Sequence, residues 1–221
     1  MKHLTRLLLW LRFHLFQRHR FNRLVLEHVA GRPLLVLPQV FNPTLFLTSE
    51  FMVQALNEQL IPAGTSLLDM GTGSGIGAIF AAQWAGRVAA VDINPAAARC
   101  ARINVLLNQL EDKITVYEGD LFTPLAGQRF DVILFNPPYY RGTPTSPLDH
   151  AFRATDVVER FAAAATDYLA PAGHILLLLA NTGDETAFLQ TFRHHGYTAH
   201  PLAHRHLPGE RITLWQMQPD S

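Results

Sequence analysis

The stretch that most constrains the fold is residues 129–140, RFDVILFNPPYY. Its apolar run, Asp131-Val132-Ile133-Leu134-Phe135, is short, unbroken and rich in branched residues, as expected of a strand buried on both faces in a parallel sheet. It stops at Asn136-Pro137-Pro138-Tyr139, where two prolines remove backbone donors and force the chain into an extended elbow. A stiff elbow at the carboxyl end of a central strand is where open α/β sheets place their ligands. The Asn136 side-chain oxygen and the Pro137 carbonyl are both acceptors, and neither proline nitrogen can donate to them. Two fixed acceptors side by side suit a planar –NH2 group, and holding both hydrogens favours the positive charge that grows on an attacking nitrogen. Tyr139 is expected to offer a flat face for an amide or a base.

The rest of the chain alternates strand and helix around that elbow. Residues 66–70 form a strand running into Gly71-Thr72-Gly73-Ser74-Gly75-Ile76-Gly77 and an apolar helix over 78–85. Glycines at alternate positions let a ligand approach the backbone, and the helix start offers free N–H groups to an anionic group. One register, Gly73-Ser74-Gly75-Ile76-Gly77-Ala78, also matches the dinucleotide pattern of nicotinamide enzymes. The second strand, 87–91, ends at Asp92, 21 positions after Gly71 and well placed for a carboxylate that accepts ribose hydroxyls. Asn94-Pro95 opens a helix to about Leu107. A third strand, 114–117, leads into Glu118-Gly119-Asp120-Leu121. Acids at the ends of three successive units share one sheet edge and outline a nucleoside site.

These motifs, DMGTGSG, VDINP, EGDLF and FDVILFNPPYY in that order, resemble those of class I S-adenosylmethionine-dependent methyltransferases. Within them the chain is most similar to the HemK-type and small-domain enzymes that act on planar nitrogen. The resemblance covers about residues 36–217. It implies a doubly wound, Rossmann-like α/β fold with seven strands, mostly parallel and closed by a C-terminal antiparallel hairpin. It implies that Asp69, Gly71, Thr72, Gly73 and Gly75 surround the methionine part of the cofactor. Asp92 would hold the ribose with Ile93 beside the adenine, and Asp120 would bind the adenine amine with Leu121 against the ring. Asn136, Pro137 and Tyr139 would hold the acceptor nitrogen, with Asn136 also touching cofactor and Pro138 and Arg141 touching substrate. No metal and no strong general base are implied, because the sulfonium is already an activated donor and alignment does most of the work. The region 42–50, NPTLFLTSE, is comparable to a segment found ahead of the cofactor loop in release-factor enzymes.

Composition narrows the setting. With 48% hydrophobic and 16% charged residues the chain is globular rather than disordered. A formal net charge of zero argues against a broad nucleic-acid footprint. One cysteine, Cys100, excludes an internal disulfide framework and fits a cytoplasmic setting, where it reads as a small buried apolar residue. Residues 1–32 read as a basic amphipathic helical extension in front of a methyltransferase domain over 33–221. Lys2, Arg6, Arg12, Arg18, Arg20 and Arg23 precede any acid, and Leu4, Leu7, Leu8, Leu11 and Leu15 keep helical spacing. Such a helix packs on the domain, recruits a substrate such as RNA, or lies on a membrane surface. Its apolar core is too short to span a bilayer.

Residues 31–43 read as a linker with a short strand, followed by a helix over about 48–60 with Ser49 as N-cap. Residues 141–153 form a loop placed to cover the acceptor. Then come a helix over 156–169, a fifth strand over 174–180, a helix over 186–195 and a hairpin of 197–206 with 211–217. His194, His195, His200, His204 and His206 lack a cysteine or acid at ligand spacing, so no metal site is expected. The expected acceptor is a protein glutamine side chain, then an exocyclic amine of adenine or guanine in RNA or DNA, then a small-molecule amine. A non-catalytic binding protein and a nicotinamide oxidoreductase are the competing classes. Neither accounts for NPPY.

Overall fold

The structure, a computed structural model, describes residues 20, 22–207 and 209–220. Its centre is a seven-stranded sheet in the order β10-β11-β9-β6-β3-β4-β5. The strands are β3 (Ser66–Met70), β4 (Arg87–Asp92), β5 (Ile114–Glu118), β6 (Phe130–Phe135), β9 (Leu169–Ala180), β10 (Tyr197–Leu207) and β11 (Glu210–Pro219). The pairs β3–β4, β4–β5, β3–β6 and β6–β9 are parallel, whereas β11 is antiparallel to both β9 and β10. This is the expected doubly wound sheet with its closing hairpin.

Side-chain alternation along the strands divides the interior into two layers. Leu67, Val88, Val132, Leu134, Leu176, Leu178 and Leu214 face a layer with the glycine-loop helix α3 (Ile76–Ala81) and α2 (Thr48–Ala55). Leu68, Met70, Val91, Ile133, Phe135, Ile175 and Leu177 face the opposite layer, where α5 (Val157–Tyr168) and α6 (Glu185–His194) contribute Phe161, Phe188 and Phe192. The long helix α4 (Pro95–Leu107) lies beside β2 (Arg32–Val36), with Ala97 and Cys100 packed against Val36 and Val40. Cys100 is fully buried and its thiol donates to the Leu35 carbonyl at 3.1 Å, as a small core residue.

Ahead of the sheet the chain differs from the sequence reading. Residues 25–32, assigned to a helical extension, enter a two-stranded antiparallel hairpin, β1 (Val25–Val29) with β2 (Arg32–Val36). Ala30 and Gly31 both have positive φ (44° and 81°), the primed two-residue turn whose twist matches its strands. The proposed basic helix over 4–15 lies outside the described residues. Buried Glu27 ties the hairpin forward, accepting from Asn42 Nδ2 at 2.8 Å and pairing with Arg20. Asn42 in turn caps the single-turn α1 (Pro43–Phe46) through Thr44 N at 3.0 Å.

The next helix, α2, is shorter than expected and is not capped by Ser49. Leu47, in a left-handed conformation, occupies the cap, and Ser49 lies buried in the first turn. The helix stops at Ala55 because the Asn57 side chain accepts from Gln59 N and Leu60 N at 3.0 and 3.1 Å, closing a local turn that competes with helix continuation.

Candidate active site

Two neighbouring parallel strands set the site. Met70 of β3 pairs with Phe135 of β6, so Gly71 and Asn136, the next residue of each strand, leave the sheet side by side. β3 has β4 on one side and β6 on the other, so this is the point where strand order reverses and a crevice opens. A cleft of about 550 Å³ fills it, lined by Gly71, Thr72 and Gly73 on one side and by Asn136, Pro137, Pro138 and Tyr139 on the other. Asp92, Ile93, Asp120 and Leu121 close the far end.

The glycine loop is shaped from behind. Asp69 does not line the cleft; it is buried, and one carboxylate oxygen accepts from Thr72 Oγ1 at 2.6 Å and Ala78 N at 2.8 Å. Desolvation by burial pushes its carboxyl up to about 6, against those two bonds. Gly77 leaves it room, since a Cβ there would lie 2.6 Å from the carboxylate. Gly71 and Gly73 have φ of +67° and +58°, and no atom lies within 4 Å of where a Gly73 Cβ would be. That open backbone, turned to the cleft, is the cradle a ligand needs. Gly75 lies out of the cleft at the start of α3, φ +85°, where a Cβ would meet Ala101 at 3.2 Å. Asp69 and Gly75 thus shape the cradle without lining it.

Asp92 accepts from Gly73 N at 2.8 Å and from Asn94 N at 2.9 Å, and desolvation raises its carboxyl above the ordinary range despite both bonds. Beside it Ile93 is 46% exposed, an apolar surface turned to the cleft and suited to the face of a base. Asp120 is engaged by Arg160 of α5, whose guanidinium donates to its two oxygens at 2.6 and 3.3 Å. Arg160 lines the cleft and carried no signal in the sequence. A cleft of this size, with an open glycine cradle and, beyond it, two acids beside an apolar shelf, fits S-adenosylmethionine.

At the acceptor end the elbow is more tied up than its prolines suggested. The Tyr139 hydroxyl donates to Asn136 Oδ1 at 2.7 Å, leaving that oxygen one further lone-pair site. The Tyr139 ring packs against the core layer of α2 and α3, and burial, with Glu210 nearby, pushes its phenol far above the usual value. Tyr139 therefore positions Asn136 rather than presenting an open stacking face. The exposed aromatic ring here is Tyr140. Arg141 does not line the cleft; it pairs with Glu159 at 2.5 Å and Asp184 at 2.9 Å and lies over the Phe188 ring. Thr48, Ser49 and Glu210, which sequence reasoning did not assign, complete the rim.

Two segments roof the cleft. One carries Gln39, Phe41 and Pro43; the other carries Pro144, Pro147, His150 and Phe152. The second, read as an irregular loop, is a strap between two short parallel strands, β7 (Tyr140–Arg141) and β8 (Arg153–Ala154), with a 3-10 turn at Leu148–Ala151. The Phe41 and Phe152 rings meet with centroids 5.5 Å apart. Among the described residues no group of His, Cys, Asp and Glu is arranged to hold a metal, and no helix is long and apolar enough to cross a membrane.

Comparison with known proteins places the chain in a family. The model of the family "Methyltransferase small domain" matches residues 34–200. A putative protein N5-glutamine methyltransferase of Methanocaldococcus jannaschii is 29% identical over 204 residues, covering 86% of this chain and 98% of the relative. A tRNA adenine-N6 methyltransferase of Porphyromonas gingivalis is 33% identical over 131 residues, 53% of this chain and 51% of that protein. The T. thermophilus 16S rRNA N2 G1207 methyltransferase, solved with AdoMet and guanosine, superposes with a TM-score of 0.68 at 22% identity, over 89% of this chain and 50% of its own. The chain thus spans about half the length of the two nucleic-acid enzymes and nearly all of the glutamine enzyme. With a family match over most of its sheet and nearly all of its cleft, the chain belongs to the methyltransferase small domain family of S-adenosylmethionine-dependent enzymes.

Proposed function

We propose that this cleft methylates the side-chain amide nitrogen of a glutamine in a protein. The observation that carries the reading is the juxtaposition of the Asn136-Pro137 acceptors with the glycine cradle, in one cleft on adjacent strands. When bound, S-adenosylmethionine supplies a methyl group already activated on a sulfonium. The chain's residues then have to orient and exclude water. Asn136 Oδ1, held by Tyr139, and the Pro137 carbonyl receive the two amide hydrogens and turn the nitrogen lone pair toward the cradle. As attack proceeds the nitrogen gains positive charge, and both oxygens interact with it more strongly than with the ground state. The proton is lost afterwards from a cationic nitrogen, which needs no strong base.

Two features support an amide over a base. The putative glutamine enzyme matches along 98% of its own length, and the Tyr139 ring is occupied by the core. Exposed Tyr140 favours a second reading, in which it stacks a purine whose exocyclic amine enters the same slot.

The test is transfer of a labelled methyl group to a ribosomal and translation-factor protein fraction and, separately, to total RNA. Label is expected in protein and is released as methylamine on acid hydrolysis. Label confined to RNA would overturn the glutamine assignment. Asn136→Ala is expected to lower turnover by on the order of 100-fold while S-adenosylhomocysteine affinity changes by less than about threefold, since the groups that lose a partner are the acceptor nitrogen and the Tyr139 hydroxyl, not the cofactor. Full activity would remove Asn136 from the mechanism.

A further inference from the structure

We infer that Asn94 fastens both roofing segments over the cofactor cleft and so acts as a positioning residue for cofactor retention. The proposal rests on the cofactor lying in this cleft. Asn94 follows the ribose-side acid and is 9% exposed. Its Oδ1 accepts from Ala96 N at 3.0 Å, the ordinary N-cap of α4. A cap needs only that oxygen, and serine or aspartate would serve as well. The amide nitrogen does something a cap does not require. Asn94 Nδ2 donates to the Gln39 carbonyl at 2.8 Å and to the Pro147 carbonyl at 3.4 Å. One belongs to the 39–43 segment and the other to the strap, and both residues line the cleft.

The two hydrogens of a planar amide therefore join two segments far apart in sequence. They do so two residues after Asp92, whose carboxylate accepts from Asn94 N at 2.9 Å. The Phe41–Phe152 ring contact closes the same seam further along. A ligand gripped by Asp92 thus lies under a roof anchored two residues further on, at a side chain whose backbone N–H is bonded to that carboxylate. Leaving the cleft requires at least one of the two amide bonds to part. Asn94 acts on how long the cofactor stays rather than on the methyl transfer itself.

The test uses Asn94→Ser, which retains a good cap but has no second donor. Hydrogen exchange is read on the free protein, and S-adenosylhomocysteine dissociation by stopped flow. Amides of 37–42 and 143–152 are expected to exchange on the order of tenfold faster, and the nucleotide to dissociate about tenfold faster, as for loss of one to two neutral hydrogen bonds. Amides of α4 are expected to keep their protection, and the nucleotide to associate faster as well, since entry passes the same roof. Faster exchange confined to α4, or unchanged exchange in both roofing segments, would overturn the tether and leave Asn94 a helix cap. Asn94→Gly, also tolerated at a cap, decides the matter if the serine variant does not fold. Should the nucleotide fail to bind wild-type protein, the cofactor reading falls, while exchange in the free protein still judges the tether.

Discussion

Asp69 shows how a residue can be essential to a cradle without touching what lies in it. Its carboxylate holds Thr72 and Ala78 around the glycine turn, yet its burial works against its charge. The folded carboxyl titrates near 6, above its ordinary 3.8, so the native state binds the proton more tightly than the unfolded chain. Stability associated with the protonated form is fully present below about pH 4 and is lost as pH rises through about 6, a loss on the order of 3 kcal/mol. Asp69→Asn keeps an oxygen for both donors and removes the charge. Its melting temperature is expected to gain on wild type as pH rises from 4 to 6, with a constant difference above. A difference independent of pH across that window would mean that Asp69 does not titrate there. From sequence, Asp69 and Asp92 look alike, as acids closing successive strands. The structure separates them because one carboxylate turns under the loop and the other reaches the cleft.

The elements around the elbow fit by exclusion as much as by attraction. Tyr139 crosses directly over Gly183, the turn leading into α6, where a Cβ would lie 2.5 Å from the Tyr139 carbonyl and 2.8 Å from its Cβ. Asp184 N donates to that same carbonyl at 3.3 Å. The turn after β9 therefore acts as the anvil on which the NPPY elbow is pressed, though nothing in its sequence, Asn181-Thr182-Gly183-Asp184, announces it. Gly183→Ala needs no unusual φ, so any penalty comes from contact with Tyr139. It is expected to destabilise by about 1–3 kcal/mol through overpacking. Turnover is expected to fall beyond what the remaining folded fraction explains, because Asn136 moves with Tyr139. Melting temperature and kcat measured together test this, and unchanged values for both would separate α6 from the site. The strap was legible in its position but not in its form. Prolines and glycines mark a break in pattern, whereas the β7–β8 pairing depends on the elbow bringing distant backbone together.

In the molecule as a whole, two apolar layers clamp a sheet whose strand ends make the cleft. Phe161 joins one of them to the site. It is fully buried, stacked on Phe135 with centroids 4.3 Å apart and tilted against Phe122 at 5.2 Å, directly behind the NPPY and EGDLF ends. Phe161→Ala is expected to cost about 3–5 kcal/mol, read as the shift in denaturant midpoint at unchanged slope. A loss below about 1 kcal/mol would mean that the layer repacks freely. The order of strands and helices, the doubly wound sheet, its closing hairpin and the placing of three motifs on one edge were all legible in the chain. Buried parallel strands leave unbroken apolar runs, and glycines, prolines and capping residues punctuate them. The β1–β2 hairpin, the Arg160–Asp120 pair, the bond from Tyr139 to Asn136 and the diversion of Arg141 to Glu159 and Asp184 were not. Periodicity reports which residues are buried and where elements end, because those follow from local backbone geometry and the removal of apolar surface from water. Which polar groups meet is decided only when segments far apart in sequence are packed together, since a hydrogen bond depends on tenths of an ångström that no local pattern encodes.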